Sequence, residues 1–167
     1  MFKFNILPAT AVQIPDIQAI ISETWEPAYR HILSPEQIIF MQDDIYRTSA
    51  LESQMASGQQ FFILYLNQNP IGFAAYSAYQ PPVYKLNKLY VKPDYHGQGF
   101  GSLLMKHIEQ EVVRQGGKTL LLNVNRQNPA RQKYEKLGFT VVGEEDIPIG
   151  PYWMNDYIMQ KDLTLTV

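Results

Sequence analysis

The sequence of 167 residues contains no cysteine and only three histidines. The absence of cysteine excludes disulfide bonds, cysteine-ligated zinc, iron–sulfur clusters and a cysteine nucleophile. The histidines, His31, His96 and His107, do not follow the spacing of metal ligands. We therefore expect no metal cofactor.

Charged residues are also scarce, at 18% of the chain, and the formal net charge is -2. Such a chain lacks the cationic face from which nonspecific nucleic-acid binding draws most of its affinity, so nucleic acid is not an expected partner. The hydrophobic fraction of 46% is sufficient for a buried core. The length predicts a single domain over residues 1–167.

Long hydrophobic runs are absent as well. The apolar residues near the N-terminus are interrupted by Lys3, Asn5, Pro8 and Gln13, and no later segment is long enough to span a bilayer. The sequence therefore predicts no signal peptide, no membrane partner and a cytoplasmic location.

Helical periodicity dominates the first third of the chain. It predicts a helix that begins near Pro15 and ends at Pro27, a second that begins after the cap Ser34-Pro35, and a third over residues 48–57. A short strand, stopped by Pro8, precedes them. Strand patterns then occupy residues 61–66, 71–79, 85–91, 119–124, 139–142 and 153–159, with helices over residues 102–115 and from Pro129 to Leu137.

This order predicts the fold class. We expect an α/β (α+β) domain with a mixed, mostly antiparallel, twisted sheet of six or seven strands, flanked by helices and with one βαβ-like unit in the middle.

The most informative segment is His96-Gly97-Gln98-Gly99-Phe100-Gly101, followed by Ser102, between a predicted strand and a predicted helix. Glycines allow a tight turn that brings several backbone N–H groups together at a helix N-terminus, where an anion such as a pyrophosphate is favoured. A simple tight turn is the alternative. No lysine follows the last glycine, which excludes a P-loop, and the glycine spacing does not fit a dinucleotide fingerprint.

Two segments together resemble the GNAT superfamily of acetyl-CoA-dependent N-acetyltransferases. The run LYVKPDYHGQGFGSLLMKHIE resembles its acyl-CoA-binding motif, with Gly99 and Gly101 in place and His96 where arginine or glutamine is usual. The run NRQNPARQKYEKLGF resembles its second motif, through Asn128 and Tyr134. The resemblance implies a GNAT fold, acetyl-CoA as cosubstrate and direct transfer of acetyl to a primary amine such as a polyamine or another small amine.

The resemblance also implies roles for single residues. The backbone of Leu89, Tyr90 and Val91 would line the thioester and pantetheine arm, and Asn128 would contact the pantetheine. The pyrophosphate would lie on the loop formed by His96, Gly97, Gln98, Gly99, Phe100, Gly101 and Ser102. Tyr134 would lie near the sulfur, where its phenol can protonate the leaving thiolate as general acid. Tyr134 also shares a helix face with Ala130 and Leu137, so a core position is the alternative.

The general base is not identified. Many relatives place a glutamate at the start of the strand before the glycine loop, where this chain has Lys85. Glu26, Tyr29, Tyr79, Tyr84 and a water relay are all candidates. The substitution by Lys85 also keeps open a non-catalytic, acyl-CoA-binding regulatory domain.

The acceptor is indicated by the C-terminal run IGPYWMNDYIMQKDL, which resembles the PaiA-type branch that acetylates polyamines. The resemblance places Tyr29, Tyr79, Trp153 and Asp156 in the acceptor cleft. An acetyltransferase of peptides or proteins is the alternative. The apolar residues 152–159 are a candidate homodimer edge.

Overall fold

The computed structural model describes residues 3–165, so the first two and last two residues of the predicted domain lie outside the described residues. The elements are β1 (Phe4–Ala9), α1 (Ile14–Tyr29), α2 (Pro35–Tyr46), α3 (Thr48–Ala56), β2 (Gln60–Leu66), β3 (Asn69–Gln80), β4 (Val83–Val91), α4 (Phe100–Arg114), β5 (Thr119–Asn125), α5 (Ala130–Lys136), β6 (Thr140–Ile149) and β7 (Tyr152–Asp162). No helix within this range combines the length and hydropathy needed to cross a bilayer.

The seven strands form one sheet in the order β1-β2-β3-β4-β5-β7-β6. Every neighbouring pair is antiparallel except β4 and β5, which are parallel and joined through α4. A parallel pair needs such a crossover connection, whereas the antiparallel pairs can use tight turns. The predicted fold class, with seven strands and one βαβ unit, is confirmed.

Helices cover both faces of the sheet and bury a separate core on each. On the α4 face, Leu104 and Ile108 of α4 pack with Leu122 and with Phe139, against which α5 also packs. On the opposite face of the sheet, called the α1 face, helices α1, α2 and α3 bury their apolar residues. Its core includes Ile17, Trp25, Tyr46, Leu51, Phe61, Phe73 and Met154.

The structure corrects two predictions that rested on proline. Helix α1 continues through Pro27 to Tyr29. Proline removes one backbone hydrogen bond, but Trp25 and Tyr29 are buried on the α1 face and hold the last turn in place. Strand β1 continues through Pro8, which is tolerated because β1 is an edge strand.

The C-terminal strands are longer than the sequence predicts. Strand β6 extends to Ile149 and carries Glu144, Glu145 and Asp146, which the sequence assigned to a loop. These side chains are exposed, and β6 is the outer strand of the sheet. The predicted homodimer edge, residues 152–159, lies on β7, which has β5 and β6 on its two sides.

Candidate active site

The site opens where β4 and β5 separate. Residues Val83–Leu86 of β4 pair with residues Thr119–Leu122 of β5, and the pairing ends there. Strand β4 then follows β3 to Val91, and β5 follows β7 to Asn125. Ligands of open α/β sheets commonly bind at the carboxyl ends of diverging parallel strands. A cavity of about 940 Å³ lies at this opening.

A β-bulge in β4 shapes the opening. Ala75 of β3 faces Lys88 and the next residue, Tyr76, faces Leu86, so Asn87 is the extra residue. A bulge bends the strand and changes the direction of its side chains. The Asn87 amide donates a hydrogen bond of 2.9 Å to the Ser77 hydroxyl, which fixes the bulge to β3.

The glycine loop forms one end of the cavity. Gly97 and Gly99 have φ of +77° and +85°, in the left-handed region that glycine adopts without strain, and α4 begins at Phe100. None of the N–H groups of residues 97–102 donates to another described residue. Several free donors at a helix N-terminus are a suitable site for a phosphate group.

His96 holds this loop in place. Its Nε2 lies 2.6 Å from the carbonyl oxygen of Val91, the last residue of β4. His96 lines the cavity, as do the glycines of the loop, whereas Gln98 lies outside the lining. The resemblance placed His96 in the pyrophosphate loop, and this contact gives its side chain a structural role there.

The opposite wall is built by the segment after β5. The side-chain Oδ1 of Asn128 accepts a hydrogen bond of 2.9 Å from the Ala130 N–H and so fixes the start of α5. Tyr134 of α5 lines the cavity and packs edge-on against Phe139, with ring centroids 6.1 Å apart. Burial raises the pKa of Tyr134 to about 12, so its phenol stays protonated at neutral pH.

Two more tyrosines, Tyr29 and Tyr90, line the cavity on the α1 face and contact each other. The hydroxyl oxygens of Tyr29 and Tyr90 lie 3.0 Å apart. Burial, together with their mutual proximity, raises the pKa of Tyr29 well above its usual range. Burial also raises the pKa of Tyr90, and the Tyr134 phenol adds to both shifts. The three phenols therefore remain neutral hydrogen-bond donors.

Besides the tyrosines, three ionisable side chains line the cavity on the α1 face, namely Lys85, Lys88 and Asp156. Lys88 is buried, and its Nζ donates to the side-chain Oε1 of Gln59 at 2.8 Å. Burial, with a smaller contribution from Lys85, lowers the pKa of Lys88 to about 7. Asp156 of β7 is also buried, and burial raises the pKa of its carboxyl although the Asn123 amide donates to it at 3.2 Å.

The cavity therefore brings most of the predicted site residues together. Its lining includes Tyr29, Leu89, Tyr90, Val91, His96, Gly97, Gly99, Phe100, Gly101, Ser102, Asn128, Tyr134 and Asp156. Tyr79 and Trp153 lie outside the lining, and their side chains are 60% and 58% exposed. The sequence analysis missed Lys88, although a lysine between Leu86 and Leu89 in an apolar strand was an available signal.

Comparison with known proteins gives a consistent result. The profile of the Acetyltransferase (GNAT) domain matches residues 31–153. An uncharacterised N-acetyltransferase of Mycobacterium tuberculosis is 25% identical over 150 residues, which are 89% of this chain and 96% of that protein. The [Ribosomal protein bS18]-alanine N-acetyltransferase of Haemophilus influenzae is 36% identical over 87 residues, or 51% of this chain and 59% of that protein.

Solved structures share the fold over almost the whole chain. PaiA N-acetyltransferase from Thermoplasma acidophilum, in complex with coenzyme A, superposes with a TM-score of 0.83 at 23% identity, covering 96% of this chain and 99% of that one. The ribosomal-protein-S18-alanine N-acetyltransferase from Escherichia coli gives 0.74 at 21% identity, covering 99% and 97%.

Proposed function

The chain belongs to the GNAT family of acetyl-CoA-dependent N-acetyltransferases, and from this premise we propose that it transfers acetyl directly from acetyl-CoA to a small primary amine. The observation that carries the proposal is the opening between β4 and β5. Along this one cavity lie the free N–H groups of residues 97–102, the end of β4 and the Tyr134 phenol.

Acetyl-CoA would lie along the opening. The N–H groups of residues 97–102 would hold its pyrophosphate, since free donors at a helix N-terminus favour an anion. Within the described residues β5 does not pair with β4 beyond Leu86, so the backbone of Leu89, Tyr90 and Val91 is open toward the pantetheine arm, apart from the Val91 carbonyl, which His96 contacts. Asn128 would contact the same arm from the other wall.

In the reaction, the neutral amine attacks the thioester carbon, the C–N bond forms and the C–S bond breaks. The sulfur leaves as a thiolate, and one N–H proton of the amine passes to solvent water, which in turn restores the proton that the general acid gives to the sulfur. Tyr134 would protonate the sulfur as general acid, because its phenol is still protonated at neutral pH and lies at the cavity. Its packing against Phe139 holds the ring in position.

The acceptor would enter from the α1 face, where Tyr29 and Asp156 line the cavity. Asp156 is the single carboxylate among the described residues of the lining and would attract the ammonium form of the amine. The proposed contacts from Tyr79 and Trp153 would require the acceptor to extend beyond the cavity, because both side chains are exposed outside it.

A peptide N-terminus is the second candidate acceptor. It is favoured by the 36% identity to a [Ribosomal protein bS18]-alanine N-acetyltransferase over about half of the chain. Side chains of α2 and β6, including Met41, Ile147 and Ile149, also line this cavity, and we infer from their enclosing position that a small molecule is the better candidate.

Two further predictions from the sequence remain predictions. One is a cytoplasmic location. The other is a homodimer through the C-terminal strands, for which β6 would supply the free edge because β7 is paired on both sides.

The experiment is acetyl-CoA turnover, followed by thiol release, with polyamines, small amines, aminoglycosides and peptides as acceptors. We expect saturable turnover with at least one small amine and a loss of kcat of about 100-fold in Tyr134→Phe. Tyr152→Phe is the matched control, because it removes a phenol that lies against Phe40, outside the cavity lining. Turnover of peptides alone would overturn the small-amine proposal.

A further inference from the structure

The charges on the acceptor side of the cavity are unbalanced. Two lysines of β4, Lys85 and Lys88, line the cavity on the α1 face, and Asp156 of β7 is the one described carboxylate that lines it with them. No salt bridge within residues 3–165 involves Lys85 or Lys88. Lys85 is close enough to Asp156 to lower the pKa of that carboxyl, whereas no described carboxylate of the lining acts on Lys88 in this way.

Lys88 is the cationic group with the least compensation. Lys88 is only 8% exposed. Its side chain crosses Ala75, the small residue that pairs with it on β3, and extends toward β2. There its Nζ lies 5.2 Å from the centre of the Phe61 ring and donates to the neutral amide of Gln59. A buried ammonium group without an anionic partner is unfavourable, and a bound anion would relieve this cost.

Acetyl-CoA does not supply that anion. Its phosphates belong at residues 97–102, beyond the end of β4 at Val91. Lys88 and Lys85 lie three and six residues before Val91, or about 10 and 20 Å along the strand at the usual rise of a β-strand. The part of acetyl-CoA that would lie nearer to them is the uncharged acetyl and pantetheine end. The anion must then come from the acceptor.

The carboxylate of Asp156 lies on the other side of the opening. Asp156 is two strands from β4, since β5 separates β4 from β7. One of its oxygens accepts from the Asn123 amide, and its charge is close enough to Tyr29 to raise the pKa of that phenol. An ammonium group facing Asp156 would therefore lie on the same side of the cavity as the phenols of Tyr29, Tyr90 and Tyr134.

We propose that the acceptor is a small amine that also carries a carboxylate, with its amine facing Asp156 and its carboxylate facing Lys88. This inference rests on the proposed acetyl transfer to a small amine. Lys88 is then a specificity-determining residue. A polyamine fits this arrangement poorly, because its second ammonium group would face a buried lysine.

The test compares three acceptors of equal chain length: 5-aminopentanoate, pentylamine and cadaverine. Glycine, β-alanine and 4-aminobutanoate extend the series, because the spacing between the two ends of the cavity selects the length. We expect kcat/KM for the best amino acid to exceed that for its matched alkylamine at least tenfold. Cadaverine and spermidine should be no better than pentylamine.

Lys88→Met keeps the length of the side chain and removes its charge. We expect it to raise KM for the amino acid about tenfold, so that the ratio of kcat/KM for the amino acid to kcat/KM for pentylamine falls about tenfold. The matched control is Lys106→Met, which removes an exposed lysine of α4 outside the cavity lining. An equal loss for every acceptor in Lys88→Met would assign Lys88 a structural role and overturn the inference.

The remaining outcomes separate the inference from the proposed function. Efficient turnover of pentylamine or spermidine, without a preference for any amino acid, would keep the proposed function and overturn the carboxylate site. If no amine is acetylated, the proposed function fails. Calorimetric titration of 5-aminopentanoate into the protein with coenzyme A then decides the site: binding lost in Lys88→Met supports it, and no binding to the wild type overturns it.

Discussion

The hydroxyl oxygens of Tyr29, at the end of α1, and Tyr90, near the end of β4, lie 3.0 Å apart. This hydrogen bond joins the helix layer of the α1 face to the strand that lines the opening. It exists because α1 continues through Pro27 for one more half-turn and so carries Tyr29 over the sheet.

The Tyr29–Tyr90 bond can be measured by a double-mutant cycle. Tyr29→Phe and Tyr90→Phe should each lower the free energy of unfolding by about 1 kcal/mol, since each removes one partner of a buried hydrogen bond. The double variant should lose less than the sum of the two, with a coupling of about 0.5–1.5 kcal/mol. Urea unfolding provides the measurement, and strictly additive losses would contradict a direct bond.

Lys88 makes the stability of the fold depend on pH. Its pKa is about 7 in the folded protein, against 10.5 for a free lysine. Between these values the unfolded chain binds the proton and the folded chain does not, so this group makes the folded state more stable as pH rises. Below pH 7 both states are protonated and the full cost of the buried charge remains.

We therefore expect wild type to gain stability relative to Lys88→Met between pH 7 and pH 10, by up to about 1.4 kcal/mol per pH unit. Other titrating groups are shared by the two proteins and cancel in the difference. Chemical denaturation at several pH values checks this. A difference that stays constant over the range would show that Lys88 titrates as an ordinary exposed lysine.

Substitutions at two glycines of the loop can distinguish an effect on folding stability from an effect on coenzyme A binding. Gly101 lies in the first turn of α4, and a Cβ there would meet no atom within 4 Å. Gly101→Ala should keep or slightly raise stability, because alanine is the better helix former. It should still weaken coenzyme A binding about tenfold, since the new methyl group would lie among the N–H groups of the loop.

Gly99→Ala should behave differently, because Gly99 has φ of +85°. A left-handed alanine costs about 1–2 kcal/mol, so this variant should lose stability as well as coenzyme A affinity. Thermal unfolding and calorimetric titration with coenzyme A measure the two properties separately. Unchanged affinity in Gly101→Ala would place the pyrophosphate elsewhere.

Asp156 is expected to act on the amine and not on acetyl-CoA. Asp156→Asn removes the carboxylate charge at nearly constant volume, and KM for the acceptor amine should rise about tenfold while KM for acetyl-CoA stays the same. Asp43→Asn is the matched control, because Asp43 is an exposed residue of α2 outside this cavity. A change confined to KM for acetyl-CoA would contradict the proposed position of the amine.

Local patterns in the sequence were sufficient to predict most of the helices and strands of this protein. Alternation and periodicity located every strand and helix, and Ser34, whose hydroxyl accepts from the Gln37 N–H at 3.1 Å, marked the start of α2. The glycine loop and the Asn128-Pro129 turn were also recognisable, because a left-handed residue or a helix start depends on its immediate neighbours. These segments define the fold class and one end of the cavity.

Ends of elements were harder to predict where packing outweighs propensity. Pro27 should end a helix by its own chemistry, but the buried rings of Trp25 and Tyr29 keep the last turn helical. In β6, the run of Glu144, Glu145 and Asp146 resembles a solvated loop. It continues as a strand because it pairs with β7 along its whole length.

By itself the sequence determined the order of elements, the glycine loop and the position of Tyr134 on a helix, because each follows from residues close together in the chain. Only the tertiary structure decided that β4 and β5 separate after Leu86 and that Lys88 is buried over Phe61 with no salt bridge to any carboxylate in residues 3–165. It also decided that Asp156 faces the same cavity. Burial and charge pairing depend on which strands become neighbours. Residues 88 and 156 line the same cavity only after the sheet has formed.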